Sequence, residues 1–207
     1  MPAHKHSFDA LKAYLPDGSF ELVMPLILQH RVHLTITRHR QTKLGDYRNA
    51  WGNKNHRISI NGNLNKYSFL ITLLHELAHL LAYEQFGNRI QPHGREWKKT
   101  YGSILKDFLA KQLFPPVIAE ELKATLHNPA ASSCAEDDLQ RILMQYDVKR
   151  PGVKLVEQLA NGQHFRIPGG RVFVRGEKVR KRFKCFELPH MKPYLFSPLY
   201  EVIEVQG

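Results

Sequence analysis

The stretch FLITLLHELAHLLAY, residues 69–83, constrains this chain more than any other part of it. It is apolar enough to sit at the centre of a core, yet it carries His75, Glu76 and His79. Burying an ionisable group without a partner is costly. A helix resolves the conflict, because each residue turns about 100°. With His75 taken as zero, His79 falls at about 40°, Thr72 at about 60°, Tyr83 at about 80° and Glu76 at about 100°. The leucines, Ile71 and Ala78 fill the remaining arc. The spacing predicts a helix buried over most of its circumference, with one polar stripe turned to a cleft. Asn65 stands where an N-cap belongs, and Gly87 where the helix should stop.

Two histidines four apart on one helix face can share an ion at nitrogen–zinc distances of about 2.0–2.1 Å. Glu76 lies beside them, placed to act as a base. HELAH is the H-E-x-x-H arrangement of zinc peptidases. A third ligand is expected from QPHGREWK, where His93 follows a helix stop; Glu96, three residues on, is the rival. Three ligands would leave a fourth side for water. Tyr83 shares the stripe and reads as a packing residue. The remaining histidines (His4, His6, His30, His33, His39, His56, His127, His164 and His190) read as surface residues.

TLLHELAHLLA followed by HGREWK resembles the SprT-like family, which includes the Spartan-type metallopeptidases. TKLGDYR and ISING look like the strand-and-turn region ahead of that family's active helix, so the resemblance covers roughly residues 20–110. It implies a zincin-like α+β domain with a small antiparallel or mixed sheet and active-site helices. It also implies one zinc ion on His75, His79 and His93, with Glu76 as the catalytic glutamate. The implied activity is metal-dependent cleavage of proteins, notably those bound or crosslinked to DNA. Many relatives add a four-cysteine zinc ribbon. This chain has only Cys134 and Cys185, which excludes such a site and a disulfide framework.

The rest of the chain bears on partners and organisation. Thirty Lys and Arg against 19 acids give a net charge of +11, a field that attracts polyanions, so nucleic acid, DNA first, is the expected partner besides a protein substrate. No leader or bilayer-spanning run is seen, and the expected compartment is the cytoplasm, with no membrane partner. Three parts are expected: a zincin-like domain over 1–127, a linker and helix over 128–150, and a basic all-β module over 151–207. In the first part SFDALKAYL, capped by Ser7, and SFELVMPLILQH read as helices, although Pro25 weakens the second. RVHLTITRH reads as a strand, KLGDYRNAWG as a turn leading into a second strand, and HRISING as a third, with RISIN a candidate for pairing with an extended substrate. Helices should follow over REWKKTYGSILKDFLAKQLF, PVIAEELKATL and AEDDLQRILMQYD, the last with Ser133 and Glu136 at capping-box spacing.

In the β module, RVFVRGEKVRKRFKCF carries the candidate nucleic-acid contacts Arg175, Lys178, Arg180, Arg182 and Lys184. If KRFKCF is a strand, Phe183 and Cys185 face one way, and Arg182 and Lys184 the other. Two rival functions remain at this level. One is a zinc- and nucleic-acid-binding protein without catalysis, and the other is a hydrolase of non-protein amides.

Overall fold

The computed structural model describes residues 10–40, 42–130, 134 and 136–205. His4, His6 and the expected caps Ser7 and Ser133 lie outside the described residues. The chain divides into two compact units, the first ending at Asp147 and the second beginning at Val148.

The first unit mixes helix and sheet. Residues 10–12 are helical. Then come α1 (Phe20–Gln29), β1 (His33–Thr37), β2 (Gly45–Arg48), β3 (Arg57–Asn61), α2 (Lys66–Phe86), α3 (Arg95–Ala110), α4 (Pro116–Thr125) and α5 (Asp137–Leu143). α1 forms despite Pro25 inside it. The missing N–H costs a bond only to the carbonyl of Glu21, an exposed position, while Val23 and Ile27 bury the inner face.

The sheet has the order β1-β3-β2, with β1 parallel and β2 antiparallel to β3. β3 is therefore central, and its Ile58 and Ile60 are buried. This corrects the idea that RISIN pairs with a substrate, because both of its edges are already taken. β2 is the edge strand next to α2.

α2 is the axis of the core, buried from Ser68 through Ala78 without a break. α3 packs on it through Trp97, Tyr101, Ile104, Leu105 and Phe108, one stripe at helical spacing. α4 and α5 add Ile118, Leu122, Leu139 and Leu143 to the same core.

The second unit is a six-stranded antiparallel sheet of order β4-β9-β5-β6-β7-β8. Its strands are β4 (Val153–Leu155), β5 (His164–Arg166), β6 (Val172–Val179), β7 (Arg182–Glu187), β8 (Lys192–Phe196) and β9 (Glu201–Val205). YLFSPLYEVIEV thus holds two strands, split at a turn where the Tyr200 N–H donates to the Ser197 carbonyl. β9 inserts between β4 and β5, and the ion pairs Arg150–Glu201 and Lys154–Glu204 tie it in. Phe165, Phe173, Phe183 and Cys185 are buried in a core of its own. Among the described residues no helix is long and apolar enough to cross a membrane.

Candidate metal centre

The site begins with what fixes α2. Asn65 Oδ1 accepts from the Ser68 N–H at 2.9 Å, and Gly87 closes the helix at φ +70°. Asn65 Nδ2 also donates to the Leu143 carbonyl and to Asp147 Oδ1, so one side chain caps α2 and ties it to the end of α5.

β2 lies over the polar stripe of α2. Strand alternation aims Gly45 and Tyr47 at the helix, while Asp46 turns away and pairs with Lys43 and Arg48. The stripe is consequently more enclosed than its pattern predicts. Thr72, His75 and Glu76 are buried, and only His79 and Tyr83 are partly exposed. A Cβ on Gly45 would lie 2.5 Å from Glu76 Oε1 and 2.7 Å from Thr72 Cγ2. The strand sits this close because that residue has no side chain. The loop entering β2 is held by Arg40, which donates to Asn61 Oδ1 and Ser59 Oγ. Buried Asn61 in turn donates to the carbonyls of Arg40 and Lys43.

His93 reaches the same place from a tight turn. The Gly94 N–H donates to the Gln91 carbonyl at 2.9 Å, Pro92 holds the second position, and His93 has φ +58° at the third. Proline followed by a positive φ is the pattern of a type II turn. A Cβ on Gly94 would lie 2.9 Å from that Gln91 oxygen, so the dipeptide His-Gly is a packing requirement here.

The three imidazoles converge on one point. Nε2 of His79 lies 2.9 Å from Nε2 of His93 and 3.3 Å from Nε2 of His75, and the last two are 3.2 Å apart. A tetrahedral ion with bonds of about 2.0–2.1 Å sets its ligands roughly 3.3 Å apart, so the group could hold a metal ion. Glu96, the rival third ligand, is not part of it. Burial, followed by the neighbouring imidazoles, pushes His75 down to about 3. Burial and His93 push His79 down to about 4, and His93 is lowered too, mainly by burial. All three are neutral at pH 7, the form that donates to a metal. Burial and the charge of Asp46 push Glu76 up to about 8, against the opposing pull of Arg40 and Lys43.

Aromatic rings form the walls. Trp97 of α3 is buried and lies 4.7 Å from His75, 5.2 Å from His79 and 4.7 Å from His93, centroid to centroid. Tyr101 stacks on Trp97 and meets His75 edge-on. Tyr47 lies parallel to His79 at 6.2 Å. Among the described residues His75 Nδ1 is buried with no hydrogen-bond partner, and Trp97 and Tyr101 pack against that ring. Sequence reasoning missed Gly45, Tyr47, Trp97 and Tyr101. The signal for the last two was their spacing on α3 and, for Trp97, its place in HGREWK. It also misplaced His56, which is buried and bonded to Tyr47, and His30, which lies 2.7 Å from Glu84.

The five basic residues singled out in the second unit do not share a face. β7 alternates as expected, with Phe183 and Cys185 buried and Arg182 and Lys184 exposed. Arg175 and Lys178 pair in register with Cys185 and Phe183, and both lie over the Phe183 ring. Arg180 is in the β6–β7 turn, and Lys184 lies over Phe186.

The SprT-like family matches residues 13–113, just under half of the chain. Protein SprT of Pseudomonas fluorescens (strain Pf0-1) is 63% identical over 27 residues, 13% of this chain and 16% of that protein. Protein SprT of Glaesserella parasuis serovar 5 is 61% identical over 31 residues, 15% and 19% of the two chains. Protein SprT of Yersinia pestis is 51% identical over 43 residues, 20% and 25%. The matched stretches thus span about a sixth to a quarter of the length of these relatives. No solved structure matches the chain. Three converging histidines on the helix–turn–helix frame of HELAH and HGREWK, together with this family match, make residues 13–113 an SprT-like domain.

Proposed function

We propose that the first unit is a zincin-like, zinc-dependent peptidase. The observation that carries this reading is the convergence of three neutral imidazole nitrogens at 2.9–3.3 Å, with a buried carboxylate next to them in sequence. Imidazole-rich sites suit zinc, and three protein ligands is the number that catalytic zinc sites keep. When bound, zinc supplies a Lewis acid that lowers the pKa of a water to about 7 and polarises a carbonyl. His75, His79 and His93 would hold it. Glu76 is the general base and then the acid: its carboxylate takes the proton of the attacking water and returns it to the leaving nitrogen. Its raised pKa favours that return, and a nearby cation acts in the opposite sense.

β2 is the edge strand beside Glu76, and among the described residues no further strand pairs with its outer edge. An extended substrate pairing there would be recognised through its main chain, which accepts many sequences. The wider reading is that the substrates are proteins held on, or crosslinked to, DNA in the cytoplasm. Two features support it. The chain carries +11 overall, and a groove of about 720 Å³ beginning at His93 is bordered by Arg95, Lys98, Lys99 and Lys106 with no acidic residue.

The test is metal analysis of the purified chain together with digestion of casein and of a DNA-binding protein, with and without DNA. Glu76→Gln should keep stoichiometric zinc and lose cleavage by about three orders of magnitude. Undiminished cleavage by that variant would overturn the mechanism. Zinc binding with no cleavage by the wild type would favour a non-catalytic metal protein instead.

A further inference from the structure

Two further histidines, His56 and His30, share Glu84 outside the metal-ligand group. His56, just ahead of β3, receives two contacts at Nδ1: the Ala50 N–H at 3.2 Å and the Tyr47 hydroxyl at 2.9 Å. A backbone N–H can only donate, so Nδ1 carries no proton and the Tyr47 O–H must also donate to it. The single ring proton of neutral His56 is then on Nε2, which faces Glu84 Oε1 at 3.5 Å. The other oxygen of Glu84 lies 2.7 Å from His30 Nδ1, at the end of α1. Four segments of the first unit are joined through this chain: α1, β2, the lead-in to β3, and α2. Its free end is the ring of Tyr47, which stacks on His79 with an interplanar angle of 4°. Trp97 also packs on His79, at 5.2 Å, and contacts all three ligands.

We infer that Tyr47 is a positioning residue for the metal ligand His79: its ring packs parallel to the imidazole at 6.2 Å, beside the contact from Trp97, and the His56–Glu84–His30 chain holds Tyr47 in place. Residues that orient ligands from outside the coordination sphere are worth about 10–100-fold in metal affinity. In many sites they do so by hydrogen bonds to the ligand's second nitrogen. At His79 the contacts from outside the ligand group are ring packing from Tyr47 and Trp97. The two parts of the support from Tyr47 are separable. Tyr47→Phe keeps the stacked ring and loses the anchor, whereas Tyr47→Ala loses both.

The inference rests on the metal centre proposed above, and it does not depend on peptidase activity. The experiment is competition of the full-length chain with a chromophoric chelator for zinc. It is paired with the visible spectrum of the cobalt-substituted protein, which reports ligand geometry, and with far-UV circular dichroism to select folded variants. Tyr47→Ala should weaken zinc about tenfold or more and broaden the cobalt bands, and Tyr47→Phe should weaken it by less, about threefold. His56→Ala should resemble Tyr47→Phe, and adding it to Tyr47→Phe should change nothing further, since the anchor is already gone. Zinc affinity within twofold of wild type in folded Tyr47→Ala would overturn the inference. So would a His56→Ala effect of the same size in the wild-type and Tyr47→Phe backgrounds. A wild-type chain that binds zinc and cleaves nothing would refute the peptidase and leave the positioning role standing.

Discussion

At Gly45 a single hydrogen atom stands where a side chain would meet the candidate base. In Gly45→Ala the new methyl must displace both the Glu76 side chain and the Thr72 methyl, at a cost of about 1–3 kcal/mol in stability. The three histidines are not the atoms it meets. The expected outcome is near-normal zinc affinity with peptide cleavage down about a hundredfold, because small misplacements of a reacting group cost that much. Equal losses in both assays would mean that the displacement at Gly45 is passed to the ligands through Tyr47 on the same strand. Proton linkage gives a second outcome for the metal-free protein. His75 and His79 have folded values below 6.5, so their contribution to stability is present above 6.5 and lost as pH falls toward about 4 and 3. Glu76 is raised from 4.5 to about 8, so its contribution is present below 4.5 and lost as pH rises through 8. Two histidines outweigh one glutamate below 6.5, and above it only the glutamate changes. Stability in the presence of a chelator should therefore peak near pH 6.5, read from urea midpoints on either side of that value. Glu76→Gln should abolish the alkaline fall and keep the acid one. A wild-type profile flat from 6.5 to 8 would show an ordinary carboxylate.

The helix bearing the site depends on contacts made well away from it. Asn65→Ala removes the cap of α2, worth about 1 kcal/mol, and leaves the Leu143 carbonyl and Asp147 without that partner. Thermal unfolding should show a loss of about 1–2 kcal/mol, with zinc affinity unchanged because His75 is nearly three turns further on. Asn65→Asp would keep an oxygen for the Ser68 N–H while setting a second carboxylate against Asp147. It should therefore recover only part of the loss. This helix was the most legible element in the sequence, since its polar stripe, its cap and its glycine stop all follow from local spacing. The placement of β2 was not legible. Its four residues carry no strong pattern, and their position over α2 comes from pairing with β3, which lies later in the chain. His56 was misjudged for the same reason, because its partners Tyr47, Ala50 and Glu84 come from separate segments. The central position of β3 likewise depends on β1 and β2 flanking it, which no local pattern encodes.

Charge is a property of the whole molecule, and it is unevenly distributed along this one. From Val148 onward there are twelve Lys and Arg against five Glu, so this shorter unit carries +7 of the total +11. Charge alone does not say which cations are available to a polyanion, and the sheet register helps to decide. Arg175 and Lys178 lie over the Phe183 ring, on the side where Phe183 and Cys185 are buried, and Arg175 is only partly exposed. Arg182 and Lys184 project from the opposite side of β7 and are exposed, with Phe186 beside them for base stacking. If the second unit holds single-stranded DNA, replacing Arg182 and Lys184 together by Glu should weaken binding at low salt. It should also reduce the slope of log affinity against log salt by about 1.4, two contacts at roughly 0.7 each. Replacing Arg175 and Lys178 should have the smaller effect on binding and the larger one on the stability of the β module, because it strips two cations from a ring in the core. The measurement is a salt titration of full-length wild type and the two double variants, followed by anisotropy of a labelled oligonucleotide. Equal loss from both pairs would point to attraction by net charge alone. Loss only from Arg175 and Lys178 would place the nucleic acid on the Phe183 side and refute the assignment to the Lys184 face.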